Sequence, residues 1–194
     1  MRYDIPKRFS DATMALVDEE QFGPVCVYAQ HLKERFLKGD GLILTGAEGL
    51  GKSFAAAALT RHFRRAAKKD GDGFGSCDYV FITAPDMFDK IAIVGDCYDS
   101  YRGKEYVDTF STTPWLVIND LGKEYRGGKF DEQIPYKLGR ILRARAEREI
   151  PTFVTTNLSG ADIRSIYGAS ITSILAETCR SYEIEGKDRR KRVA

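Results

Sequence analysis

Gly46-Ala47-Glu48-Gly49-Leu50-Gly51-Lys52-Ser53 places glycine, lysine and a small hydroxyl at the spacing G-x-x-x-x-G-K-[ST]. The chemistry that pattern serves is the capture of polyphosphate. Glycines let the backbone wrap closely around anionic oxygens, their N–H groups point inward, and the helix that follows presents its positive end. Lys52 is then expected to meet the β- and γ-phosphates and Ser53 to offer its hydroxyl to Mg²⁺. The expected ligand is ATP with Mg²⁺, touched by Gly46, Ala47, Glu48, Gly49, Leu50, Gly51, Lys52, Ser53 and the next residue, Phe54. A chance glycine-rich turn is the bland alternative. It is disfavoured because a short apolar strand, Leu42 to Thr45, stands before the loop and an Ala-rich helix, Lys52 to Lys69, stands after it.

Two further strand ends carry polar residues. Trp115-Leu116-Val117-Ile118 is an apolar run ending in Asn119-Asp120, the place where a metal-orienting acid is needed. Thr152 to Thr156 ends at Asn157, whose amide would hold an attacking water near the γ-phosphate; as a turn residue before Leu158-Ser159-Gly160 it has an equally ordinary reading. The catalytic set expected is Lys52, Asp120 and Asn157, and the metal set Ser53, Asn119 and Asp120.

The elements that must position these groups alternate along the chain. The spacing predicts a helix over 24–38, strands at 42–45, 79–83, 115–119 and 152–155, and a last strand near 180–185. Helices are expected at 52–69, 85–94, 131–149, 160–167 and 170–179. Strands separated by helices give a parallel sheet covered on both faces, an α/β fold. The domain reading is a lead-in at 1–23, a nucleotide-binding domain at 24–186 and a basic tail at 187–194.

Composition bounds the rest. A chain of 194 residues suits one domain, and 30 basic against 28 acidic residues exclude a strongly cationic coat while leaving room for local patches. No apolar run reaches membrane-spanning length and Met1-Arg2-Tyr3-Asp4 does not begin a secretion signal, so no membrane association and a cytoplasmic location are expected. Cys26, Cys77, Cys97 and Cys179 lie far apart, which predicts reduced thiols and no structural zinc.

The P-loop, the strand ending in Asn119-Asp120-Leu121-Gly122-Lys123-Glu124 and the Thr155-Thr156-Asn157-Leu158 segment together resemble the AAA+ ATPases of the DnaC-type helicase loaders and the IstB-type transposition ATPases. The similarity runs from Ile5-Pro6-Lys7-Arg8-Phe9 to Gly186-Lys187-Asp188-Arg189-Arg190. It implies an AAA+ core with sheet order 5-1-4-3-2, ATP-dependent homo-oligomers, a replicative DNA helicase as partner, and DNA binding. Arg189 matches the sensor-2 arginine, which would touch the nucleotide phosphates. The reading is therefore a nucleotide-controlled, helicase-loader-type switch on single-stranded DNA in replication. An IstB-like ATPase on duplex DNA and a hydrolysis-impaired regulator that binds a helicase are the alternatives.

The sequence also departs from that family. Asn119 stands where an acid is usual, which removes a charge from the metal position and predicts slow turnover. Ser170 and Ile174 stand where arginines are common, the second resembling the place of the arginine finger. Arg140, Arg143, Arg145 and Arg148 are possible substitutes, or simply a solvated basic face. Loaders of this type usually carry an N-terminal domain that docks on the helicase; with about twenty residues ahead of the first core helix, a bare ATPase core is the expectation here. For DNA, Lys123, Tyr125, Arg126, Lys129 and Phe130 beside Gly127-Gly128 combine cations with aromatics that stack bases. A second basic cluster, Arg61, Arg64, Arg65, Lys68 and Lys69, equally complements a helix C-terminus.

Overall fold

The computed structural model describes residues 4–92, 100–124, 133–186 and 188. In chain order the elements are α1 (Glu19–Gln30), α2 (Leu32–Leu37), β1 (Gly41–Thr45), α3 (Lys52–Asp70), β2 (Tyr79–Thr83), α4 (Ala84–Ala92), α5 (Ser100–Thr112), β3 (Trp115–Leu121), α6 (Gln133–Ala146), β4 (Thr152–Thr156), α7 (Gly160–Tyr167), α8 (Ala169–Thr178) and β5 (Cys179–Glu183). The strands form one parallel sheet in the order β2-β3-β4-β1-β5, which is the expected 5-1-4-3-2 read from its other edge.

Side-chain alternation along the strands divides the core into two layers. Leu42, Leu44, Phe81, Trp115, Val117 and Phe153 face α1, α2 and α3. Ile43, Val80, Ile82, Leu116, Ile118 and Val154 face α4 through α8. Trp115 anchors the first layer. Its ring stacks on Phe153 at 3.9 Å and on Phe63 of α3 at 4.4 Å, and its indole N–H donates to Thr60 Oγ1 at 3.0 Å. This fixes the helix after the P-loop against β3 and β4, whose C-terminal ends carry Asp120 and Asn157.

Three differences from the sequence reading have local causes. The helix expected over 24–38 is two helices: Asp18 caps α1 six residues earlier, accepting from the N–H groups of Glu20 and Gln21, and His31, at φ −108° and ψ 29°, breaks it from α2. Helix α5 was not expected; it contributes Phe110 to the second core layer. The helix expected over 131–149 is described from Gln133 and ends at Ala146, with a turn beyond it in which Glu149 has φ 52°. The lead-in also belongs to the core, since Ala12, Val17 and Phe22 are buried in the first layer.

Arg145 on α6 is 1% exposed and is a structural clamp rather than a surface cation. Its guanidinium donates to Thr152 Oγ1 at 2.9 Å, to the carbonyls of Phe110 and Thr113 at 2.9 and 2.7 Å, and to the carbonyl of Pro151. Burial pushes its pKa down to about 9, so it remains charged at neutral pH. The end of α5, the segment before β3 and the start of β4 thus converge on one cation. Arg145→Met is expected to leave those carbonyls unsatisfied and to lower stability by about 3 kcal/mol, read by urea unfolding. A loss below about 1 kcal/mol would mean that the clamp is dispensable.

Candidate functional site

The P-loop runs from β1 into α3 with backbone shapes that only glycine adopts freely. Gly46 has φ 128° and Gly49 φ 81°. A side chain at Gly46 would meet the Ile184 carbonyl within 2.3 Å, and one at Gly49 would overlap the Asp188 carboxylate. The chain after β5 therefore returns over the loop, and Gln21 Nε2 ties α1 to the same segment by donating to the Glu185 carbonyl at 2.8 Å.

Lys52 lies in the first turn of α3 and is 5% exposed. A buried ammonium needs acceptors, and it donates to the carbonyls of Gly46 at 2.7 Å and Ala47 at 2.6 Å and to Asn157 Oδ1 at 2.8 Å. Asn157 in turn donates from Nδ2 to Glu48 Oε1 at 3.1 Å, and Lys123 Nζ lies 3.1 Å from that same oxygen and 3.7 Å from Asp120 Oδ1. A continuous polar chain, Lys52–Asn157–Glu48–Lys123–Asp120, thus links three strand ends.

The end of β3 is irregular, and the irregularity determines where the acid points. Its register against β4 shifts between Ile118 and Leu121, and Asp120 has φ 61°, in the left-handed region. This places one extra residue in β3. Leu121 thereby enters the second core layer, while the side chain of Asp120 lines the cavity beside the P-loop. Asn119 is 1% exposed and bonded at both ends of its amide: Oδ1 accepts from Thr155 Oγ1 at 2.9 Å and Nδ2 donates to Asp120 Oδ2 at 3.0 Å. Thr155 Oγ1 also accepts from the Asp120 N–H at 2.9 Å, which holds the bulge to β4.

The cavity has a volume of about 520 Å³ and two different ends. Glu48, Gly49, Gly51, Lys52, Ser53, Asp120, Lys123 and Asn157 form the polar end; Phe9, Leu16, Val17, Phe22, Leu50 and Phe54 form the apolar one. Arg8, whose guanidinium lies 4.7 Å over the Phe9 ring, lines the cavity as well. A phosphate cradle joined to an apolar slot is the shape of a nucleotide site. The lead-in half of the wall, Arg8 to Phe22, was missed as a binding surface. Its short 3-10 turns at Lys7–Phe9 and Met14–Leu16 have no periodicity to read, and the only signal was an aromatic and apolar residues ahead of the first strand.

Other expected groups separate. Arg143 donates to Ser170 Oγ at 2.8 Å, Arg148 to the Ala144 carbonyl at 2.8 Å, and Arg140 is exposed. Ile174 is half-buried against the second layer. In the basic end of α3, Arg64 lies 5.7 Å over the Tyr79 ring, while Arg65, Lys68 and Lys69 are exposed. Arg189 and, in the proposed DNA loop, Tyr125, Arg126, Lys129 and Phe130 lie outside the described residues. No described helix is long and apolar enough to cross a membrane.

No protein-family model matches the chain. It is similar to the replicative helicase loader DnaI of Bacillus subtilis (strain 168), 24% identical over 127 residues, which cover 66% of this chain and 36% of that protein. The match therefore spans little more than a third of that relative's length. The fold is similar to the crystal structure of the DnaC helicase loader, with a TM-score of 0.73 at 21% identity over 93% of this chain and 100% of that one. It is also similar to the replication initiator DnaA bound to AMPPCP and single-stranded DNA, with a TM-score of 0.63 at 14% identity over 96% of this chain and 53% of that one. The parallel five-stranded α/β fold with the strand order implied by the resemblance is the fold observed.

The two ends of the cavity can be tested separately. Phe9→Ala is expected to weaken ATP and ADP alike by about tenfold, the size of one lost base-stacking contact, while leaving the affinity for inorganic triphosphate unchanged. Competition against a fluorescent nucleotide reads this, and equal loss for triphosphate would remove Phe9 from the base end.

Proposed function

We propose that the chain is an AAA+ domain of the DnaC type, an ATP-controlled switch that acts with a replicative helicase on single-stranded DNA and hydrolyses ATP slowly. The observation that carries this reading is the bond from Lys52 to Asn157. It joins the P-loop to the end of β4 beside Asp120, so a triphosphate between them would be sensed by β1, β3 and β4 at once. The likeness to a helicase loader in sequence and to loaders and DnaA in fold supports the same reading.

The residues fit ATP at both ends of the cavity; they fit Mg²⁺ only in part. Ser53 lines the cavity with a hydroxyl of the hard-oxygen type this ion takes. Asn119 has its amide oxygen committed to Thr155, and Asp120 supplies one carboxylate. Among the described residues no group of three or more His, Cys, Asp or Glu could hold a metal. Ser53, together with the phosphates of the nucleotide, would hold Mg²⁺, which would supply positive charge against that of the triphosphate. Lys52 binds the phosphates, Asn157 positions the attacking water and Asp120 orients it or accepts its proton. With an amide at position 119 this end of the site carries one charge fewer than an acid pair, which is the physical reason for slow turnover.

The test is anisotropy of labelled single-stranded and duplex DNA titrated with protein in Mg-ATP and in Mg-ADP at one fixed salt concentration. Tighter binding of the single strand in ATP is expected. Preference for the duplex would favour the transposition ATPase, and binding of neither would favour a regulator directed at protein. Asn119→Asp is expected to raise steady-state ATP turnover by about tenfold, and an unchanged rate would remove position 119 from the catalytic end of the site.

A further inference from the structure

Glu48 is the unusual member of the polar chain, an acid inside a loop built to hold anions. Its Oε1 collects two donors, the Asn157 amide and the Lys123 ammonium, each at 3.1 Å. Both donors line the cavity beside Lys52, and Lys52 itself donates to the other end of the Asn157 amide. The carboxylate therefore gathers the donors that an anionic group placed between Lys52 and Asn157 would take.

We propose that Lys123 binds the terminal phosphate of ATP and sets the preference for triphosphate over diphosphate, with the Glu48 carboxylate as the anion that competes for it. The proposal rests on the ATP reading above. The exchange is easy in both directions because Lys123 and Glu48 are 43% and 57% exposed, and an ion pair so exposed to water holds weakly. A terminal phosphate carries more charge than a carboxylate and offers three oxygens to the same donors. A diphosphate ends one phosphate sooner and leaves Lys123 with Glu48. Asp120 also faces Lys123 at 3.7 Å, and with an amide at position 119 it is the one acid of the Asn119-Asp120 pair.

Lys123 follows Gly122 directly, and the Gly122 N–H donates to the buried Glu124 Oε2 at 2.8 Å, so the backbone on both sides of Lys123 is anchored. What moves between Glu48 and a phosphate is then the lysine side chain. Lys123 is a specificity-determining residue in this account, distinct from Lys52, which meets any polyphosphate.

Calorimetric titration of the full chain with Mg-ATP and Mg-ADP tests the proposal, each variant being checked first for unchanged circular dichroism and melting temperature. Lys123→Met is expected to lower the ATP:ADP affinity ratio about tenfold through ATP alone, the worth of one charge-assisted hydrogen bond. Glu48→Gln is expected to raise the ratio, because the competing charge is gone while Lys123 remains. Lys123→Met weakening both nucleotides equally or neither, or Glu48→Gln lowering the ratio, would overturn the assignment. Lys52→Ala, run beside them, separates the two readings. Wild-type protein that binds neither nucleotide sinks the ATP reading and this proposal together. Loss of both nucleotides in Lys52→Ala with an unchanged ratio in Lys123→Met sinks this proposal alone.

Discussion

A buried ammonium group tolerates few missing acceptors, and much of this molecule is arranged around that of Lys52. Removing such a charge from water costs several kcal/mol unless oxygen atoms replace the water. Two of its acceptors are carbonyls of its own loop, which close only because glycine permits the backbone shape at Gly46 and Gly49. A third comes from Asn157, which requires β4 to lie beside β1 in the register that pairs Leu44 with Thr155. That register needs α3 held at a set height over the sheet, and the Phe63–Trp115–Phe153 stack provides it. Apolar packing in the first core layer thus determines a hydrogen-bond distance at the rim of the cavity.

The end of β3 shows the reverse dependence, a polar contact determining apolar packing. A regular strand would turn Leu121 toward the same layer as Val117 and Asn119. The left-handed turn at Asp120 costs about 1 kcal/mol for a residue with a side chain. Thr155 offsets it by accepting the Asp120 N–H while donating to Asn119. One hydroxyl thereby holds the bulge, fixes the orientation of the amide, and sends Leu121 into the second layer. The consequence is that both the oxygen and the nitrogen of the Asn119 amide are bonded to neighbours.

The legible parts of the molecule are those in which chemistry or periodicity is local. The P-loop could be read because its backbone shape, charge and metal chemistry each demand a residue type at a set spacing within eight positions. The strands announced themselves as apolar runs, and their order came through resemblance to the AAA+ ATPases rather than from any pattern in the strands. Helix α5 was invisible because Ser100–Thr112 holds a glycine, several β-branched and polar residues and, among its described side chains, only Phe110 as a fully buried apolar anchor. The apolar wall of the cavity was invisible because Phe9, Val17 and Phe22 lie in turns and a first helical turn, with no repeat to mark their common face. Thr155 could be read as a strand residue and no more, since its partner lies 36 positions away across the sheet. For the same reason Arg145 looked like one basic residue among four on a helix, although its neighbours in space make it a core residue.

The strand order also bears on how the chain comes into being. Strand β1 lies inside the sheet, yet both of its neighbours, β4 and β5, are synthesised more than one hundred residues after it. During that interval a growing chain presents Leu42, Ile43 and Leu44 with neither edge paired, an open template for wrong strands from its own length or another molecule. Pairings of such long separation form slowly, and the phosphate loop is tied to both ends of the wait. The lysine of the loop lacks its acceptor on β4 until Asn157 has emerged, and Gly46 lacks the carbonyl that closes over it until Ile184 has followed. Closure of the loop around Lys52 and Gly46 therefore waits on β4 and the end of β5, as a late event in the building of this sheet.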